Sequence, residues 1–248
     1  MRALRILLIF VVIVGGLFVA ADRVAVHFAE SKAADKIRTS EGLGQTPDVS
    51  INGFPFLTQV AGGTLDDVEL GIQDFEAKSG KNGESGGEAI RIADLKAEMH
   101  GVKFDSSYSS ATADSATGTA RIDYAELLKA VKKQGPAQVA PGVTAWIDGL
   151  AYGGDHKAKV TVAVKTPLGT VRPTVRSTVD VSGGQVSAHA DSLPDIGALK
   201  PAEGPLRDVI DFKQALDDLP AGIKLDRVQA VDQGIEITVK GSNLDLVG

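Results

Sequence analysis

From Val143 onward the chain alternates apolar and polar residues at a period of two, and short glycine-bearing turns interrupt the pattern. Val143, Ala145 and Ile147 lead into YGGD. Val160, Val162 and Val164 lead into TPLG. Val171, Val175, Val179 and Val181 lead into SGG, and Val186, Ala188 and Ala190 continue beyond it. Successive strand side chains point to opposite faces, so this alternation describes strands with one apolar face. Turns at this spacing join antiparallel neighbours, which restricts the chain to a hairpin-built sheet. The same pattern occurs earlier, at Val68, Leu70 and Ile72 and again from Ile90 to Met99. It returns in LPAGIKLDRVQAVDQGIEITVKGSNLDL, where DQG is a hairpin turn between Val231 and Ile235.

Three stretches switch to a helical period. From Asp22 to about Ser40, Val24, Phe28, Ala33 and Ile37 are expected to share a face, with Gly42 and Gly44 ending the helix. This helix can continue directly from the apolar run before it. In TARIDYAELLKAVKKQG, Asp123 is a suitable N-cap. Tyr124, Leu127, Leu128 and Val131 form an apolar stripe, and Gly135-Pro136 stops the helix. Lys129, Lys132 and Lys133 complement the helix dipole there or contact anionic headgroups. A third helix is expected from about Pro205 to Leu216. KSGKNGESGG and SSYSSATADSATG read as polar bends. The fold class is therefore α+β, with about ten antiparallel strands and three helices.

The N-terminal segment bears on the compartment. Arg2 and Arg5 precede an uncharged run from Ile6 to Ala21. Arginines ahead of such a run keep the N-terminus in the cytoplasm and export the rest of the chain. The run's 16 residues span roughly 24 Å as a helix, against a hydrocarbon core of about 30 Å. Val19-Ala20-Ala21 offers small residues for cleavage before Asp22. Residues 1–21 fit a signal peptide or a signal anchor, with residues 4–21 in the plasma membrane. Residues 22–248 then form one extracytoplasmic domain, either tethered or released by cleavage near Ala21.

Composition narrows the chemistry. A net charge of −6 and short basic clusters argue against a nucleic-acid partner. With no cysteine there is no disulfide, thiolate metal site or cysteine nucleophile. His27, His100, His156 and His189 lack metal-site spacing and are expected at the surface. GESGG, Gly83 to Gly87, matches the nucleophile-elbow pattern only formally. Ser85 sits in a hydrophilic loop with no helix behind it. The pairs Asp66-Asp67 and Asp217-Asp218 occupy ordinary solvated positions. No catalytic constellation, metal site or cofactor is indicated.

One segment stands out. INGFPFLTQVAGG, Ile51 to Gly63, carries Phe54 and Phe56 on either side of Pro55, and proline cannot sit in an ordinary central strand. The two phenylalanines either plug the end of a core or present an apolar surface to lipid.

Three stretches carry a family resemblance: DVSINGFPFLTQVAGGTLDDVEL (Asp48 to Leu70), ARIDYAELLKAV (Ala120 to Val131) and the C-terminal LPAGIKLDRVQAVDQGIEITVKGSNLDL (Leu219 to Leu246). With the N-terminal apolar run, they resemble the LmeA-like phospholipid-binding family of actinobacterial cell envelopes. The I-x-G-F-P-F-L-T-Q segment is the most specific of them. The resemblance implies a non-enzymatic lipid-binding protein outside the plasma membrane. Its namesake is linked to phosphatidylinositol binding and lipoglycan upkeep. The implied fold is similar to the tubular lipid-binding superfamily, in which a curled antiparallel sheet wraps a helix and leaves an apolar slot. Hiding one acyl chain of about sixteen carbons is worth roughly 12 kcal/mol, so a carrier needs a comparably dry slot. On this basis Phe54, Pro55, Phe56 and Leu57 would gate the slot, and Tyr124, Leu127, Leu128 and Val131 would line it. The alternative is a membrane-anchored scaffold module with a fully packed core.

Overall fold

The structure is a computed structural model and describes residues 2–78, 89–105, 110–193, 203–215, 219 and 222–247. It is α+β, with strongly curled antiparallel sheets following a long apolar N-terminal helix. The described residues form four helices and thirteen strands. In chain order these are α1 (Arg2–Ser40), β1 (Asp48–Asn52), α2 (Phe56–Gly62), β2 (Thr64–Lys78), β3 (Ala89–Phe104), β4 (Ala111–Asp123) and α3 (Tyr124–Lys132). Next come β5 (Ala137–Ala140), β6 (Val143–Tyr152), β7 (Ala158–Thr166), β8 (Gly169–Val171), β9 (Thr174–Ser182) and β10 (Gln185–Ala190). α4 (Glu203–Ile210), β11 (Phe212–Ala215), β12 (Ile223–Val231) and β13 (Gly234–Val247) complete the order. One sheet runs β1-β2-β3-β4-β13-β12. The other runs β11-β10-β9-β7-β6-β5, with β8 paired to β7.

The chain divides into two compact units, with boundaries inside β2, β3, β4 and β13. The first comprises Met1–Gln73, Lys96–Gly118 and Gly241–Gly248. The second comprises Asp74–Leu95 and Thr119–Lys240.

In the first unit, Val26 of α1 and Phe56 of α2 share a core cluster with Leu65, Val102, Ala111 and Ala113. α1 is one continuous helix from the apolar run to Ser40. Its inward face differs from the expected one. Asp22, Val26 and Ala34 are buried, while Val24 and Phe28 lie exposed on the far side. The expected stripe maximised hydrophobicity, but the helix rotation follows the docking of the Asp22 carboxylate at the start of α2.

SSYSSATADSATG also needs correction. Ser106 to Ser109 lie outside the described residues, but Ala111–Asp123 is strand β4 rather than a bend. β4 lies inside its sheet between β3 and β13, so backbone pairing on both edges overrides weak side-chain propensity. The small Ala111 and Ala113 put the strand in the same cluster as Val26 and Phe56.

In the second unit the hairpins from Val143 fall where the alternation places them. Val164 stands opposite Ala145, Val162 opposite Ile147, and Val160 opposite both Leu150 and Val175. Val162, Ala163 and Val164 are all completely buried, so both faces of β7 are covered. α3 packs on β6, and α4 packs on β5, β6 and β10. Leu206 and Ile210 of α4 join the valine core.

The expected third helix is shorter than its pattern. α4 stops at Ile210, and Phe212 begins β11, which pairs with β10. The Asp211 N–H still bonds the Arg207 carbonyl at 2.7 Å, but its carboxylate accepts the Ala190 N–H at 2.9 Å. That bond directs the chain onto the open edge of β10, where backbone pairing replaces helical bonds. Leu216 to Asp218, with the pair Asp217-Asp218, lie outside the described residues, as do Ser79 to Glu88, including Ser85.

Gly234 opens β13 beside the start of α3. A Cβ there would run into the Ile122 carbonyl oxygen, with Asp123 Cα 3.0 Å away. Both obstacles are backbone, so neither can swing aside. Gly234→Ala should destabilise the protein by about 1–3 kcal/mol, the usual range for overpacking. Denaturant midpoints of the two proteins measure this, and equal midpoints would refute the close approach.

Candidate functional site

The INGFPFLTQ segment forms a corner between β1 and α2. Asn52 Nδ2 bonds Asp67 at 2.7 Å and Glu69 at 2.8 Å, fixing the end of β1 on β2. Gly53 has φ +97°, and a Cβ there would meet the Gln59 side-chain amide and the Asp66 carboxylate. The Phe54-Pro55 peptide is cis. Thr58 Oγ1 donates to the Pro55 carbonyl at 2.8 Å, and Gln59 Oε1 accepts the Asp66 N–H at 2.8 Å. Gly63, in the left-handed region, ends α2, and its carbonyl accepts the Phe104 N–H at 3.0 Å.

The first turn of α2 needs an acceptor for its free N–H groups. Its N-cap residue is Pro55, which has no side-chain acceptor. The acceptor comes from α1 instead. The Leu57 N–H donates to Asp22 Oδ1 at 2.8 Å, and the Phe56 N–H also points to this carboxylate. Arg23 donates to Asp22 Oδ2 at 2.6 Å. The Asp22 side chain is wholly shielded from water. Burial alone would raise its pKa, but the Leu57 amide, Arg23 and the Phe56 amide together hold it below the ordinary carboxylate value. Glu30, two turns further along α1, accepts the Ile51 N–H at 3.0 Å. α1 is thus bonded to both sides of the corner.

The corner separates the two phenylalanines that sequence alone left equivalent. Phe56 is 7% exposed and packs in the core with Val26. Phe54 is 58% exposed and Leu57 37%. The Arg23 guanidinium carbon lies 5.4 Å from the Phe54 ring centroid. Pro55 is half-buried.

The other expected group lies on α3, in the second unit. Leu127, Leu128 and Val131 are half-buried. Tyr124 is buried, and its hydroxyl donates to the Val231 carbonyl at 2.9 Å. Burial, with smaller contributions from Tyr152 and Asp232, pushes the Tyr124 phenol up to about 12. Asp123 holds the N-cap position, but its side chain pairs with Arg121 rather than with the helix amides. Lys129 pairs with Glu126 at 2.8 Å, and Lys132 lies 4.0 Å from Asp148. An open depression at the start of α3 is lined by Arg121, Asp123, Tyr124, Ala125 and Gln233.

The histidines lie at the surface, most of them paired with a carboxylate. His27, His100 and His189 are exposed and each faces a carboxylate, Glu30, Asp67 and Asp211 respectively; His156 is exposed as well. Among the described residues no cluster of three or more His, Asp or Glu side chains could hold a metal ion. Sequence reasoning missed Asp22. Its signal was position: it is the first charge after a long apolar run, in a helix that continues through it.

These features define an antiparallel α+β protein whose apolar N-terminal helix is long enough to cross a membrane. The chain belongs to the LmeA-like phospholipid-binding family, whose model matches residues 20–240. Comparison with curated proteins and with solved structures finds no match.

Among the described residues, the buried Asp22 and Tyr124 make stability depend on pH in opposite directions. Asp22 has a lowered folded-state pKa, so its stabilisation is complete above about 3.8, the unfolded value, and fades as pH falls towards the folded one. Asp22→Asn keeps an acceptor for α2 but cannot titrate. Its melting temperature should lie below wild type at neutral pH, and the gap should close below pH 3.8. A gap that stays constant through the acid limb would refute this role. Tyr124 is the opposite case, because a raised phenol pKa favours the neutral folded form. Its contribution is intact below about pH 10 and declines as pH rises from 10 to 12. Tyr124→Phe should cost about 0.5–1.5 kcal/mol near neutrality through the lost hydrogen bond. That difference should shrink above pH 10 in denaturant titrations; a pH-independent difference would count against it.

Proposed function

We propose that this protein holds or shuttles phospholipid, with a phosphatidylinositol-type lipid as the leading ligand, on the outer side of the plasma membrane. Residues 4–21 act as anchor or export signal, and residues 22–248 work in the cell envelope, where they support envelope or lipoglycan maintenance. Membership in a phospholipid-binding family over residues 20–240 is the observation that carries this reading. The Arg2 and Arg5 flank supports the orientation.

Lipid contact is assigned to the apolar residues that the fold leaves partly open: Phe54, Leu57, Leu127, Leu128 and Val131. Phe56 is buried in the first unit and Tyr124 in the second, and Pro55 is half-buried. Apolar side chains that remain half-exposed gain further burial when an acyl chain covers them, at about 25 cal/mol per Å². The Lys129 and Lys132 ammonium groups near the end of α3 offer charge to an anionic headgroup.

The test is lipid extraction and mass analysis of the full chain purified from its native host. A stoichiometric phospholipid is expected. Leu128→Asp should lower lipid retention about tenfold, corresponding to about 1.4 kcal/mol of lost contact. A folded chain that carries no lipid and takes up no phosphatidylinositol from liposomes would overturn the reading in favour of an envelope scaffold.

A further inference from the structure

The uncharged run of α1 is short for a bilayer by about 6 Å, or about four helical residues. Those next residues are Asp22 to Ala25. A carboxylate at that depth would ordinarily end insertion at Ala21, because a charge in hydrocarbon is costly. Here the charge is withdrawn from the surface. Asp22 is wholly buried against α2 and neutralised by Arg23 and the α2 amides. Large apolar side chains are exposed at this level, beside the exposed Arg23 and His27. Val24 is 70% exposed and Phe28 65% exposed on the side of α1 turned away from its core face. Phe54 and Leu57 project from the corner that Asp22 and Arg23 hold against α1. Two long cations accompany the rings: Arg23 over Phe54, and Lys32 with its ammonium 5.5 Å from the Phe28 centroid. Aromatic rings beside cations that can extend towards phosphate suit the headgroup layer of a membrane.

We propose that Phe54 and Leu57 of the corner, together with Val24 and Phe28 of α1, form a second membrane-contact site. This collar seats the first unit in the headgroup layer of the bilayer that α1 enters. Its occupant is an anionic phospholipid surface, argued from continuity with the apolar helix and from the cations Arg23 and Lys32. The proposal rests on residues 4–21 being inserted in the membrane and goes beyond lipid carriage. The collar holds the corner down on the bilayer.

The chain has no cysteine, so single cysteines can be labelled without background. Phe54→Cys, Leu57→Cys and Val24→Cys are labelled with a polarity-sensitive nitrobenzoxadiazole dye. Asp35→Cys is the control, exposed and about 16 Å beyond Val24 along α1. Each full-length protein is placed in nanodiscs of phosphatidylglycerol and phosphatidylethanolamine, with and without doxyl-labelled lipid. The expected result is blue-shifted emission at 24, 54 and 57 and a loss on doxyl quenching that tracks the bulk mole fraction of quencher. Position 35 stays water-like. Three outcomes overturn the proposal: water-like emission at 54 and 57, shielding without doxyl quenching, as a protein partner would give, or quenching that saturates at one quencher lipid per protein. Lipid extracted from the same samples reports separately on lipid carriage, so either idea can fail alone.

Discussion

A carboxylate with no access to water, Asp22, sets the local geometry of the first unit. A buried charge persists only when its oxygens are matched by donors, and here the donors are the first turn of α2 and Arg23. α2 is seven residues long and its N-cap residue is Pro55, so it has no side-chain cap of its own. Helix and carboxylate each satisfy what the other lacks. From that pairing follow the rotation of α1, the inward turn of Phe56 and the outward turn of Phe54. The conspicuous INGFPFLTQ motif is largely the construction of this corner. Asn52, Gly53, Thr58 and Gln59 hold its path, Phe56 fills the core beneath it, and only Phe54 and Leu57 remain to meet something else.

The second unit is held differently. Its core is valine and alanine on paired strands, closed by Leu206 and Ile210 from α4. β-branched side chains pack well on pleated surfaces and lose little freedom there. The polar side chains around it serve turns and edges. Arg176 bonds the Gly154 carbonyl and Asp155, and Lys157 and Thr178 share Asp191, so the β6–β7 turn is tied to β9. Exposed ion pairs of this kind contribute little each. Their effect is to define one turn geometry. Ser177 is the exception to full satisfaction, with a buried hydroxyl that has no partner among the described residues.

The hairpins from Val143 to Ala190, the β12–β13 pair and α3 were legible because their signals are local: alternation, turn glycines, and a helical stripe behind an N-cap. β4 and β11 were not, since both are strands by virtue of their neighbours. β4 is poor in strand formers but lies between β3 and β13, and β11 completes a helical-looking stripe but is recruited to the edge of β10. α2 was hidden because a seven-residue helix carries too little periodicity to read. In the candidate site, the residue types were legible and their directions were not. Phe54 and Phe56 are chemically identical and two residues apart, yet one is exposed and the other is core.

The sequence by itself determined the apolar N-terminal run, the antiparallel α+β class, the absence of cysteine and the family. The first three rest on composition or on spacing within a few residues, and the family on a model that matches residues 20–240. Tertiary structure alone decided which face of α1 turns inward, where β4 and β11 pair, and that Asp22 caps a helix 35 positions away in sequence. Those outcomes depend on satisfying buried polar groups across long sequence separations. No local pattern encodes them, because the partner that satisfies each group is chosen only when the chain has folded.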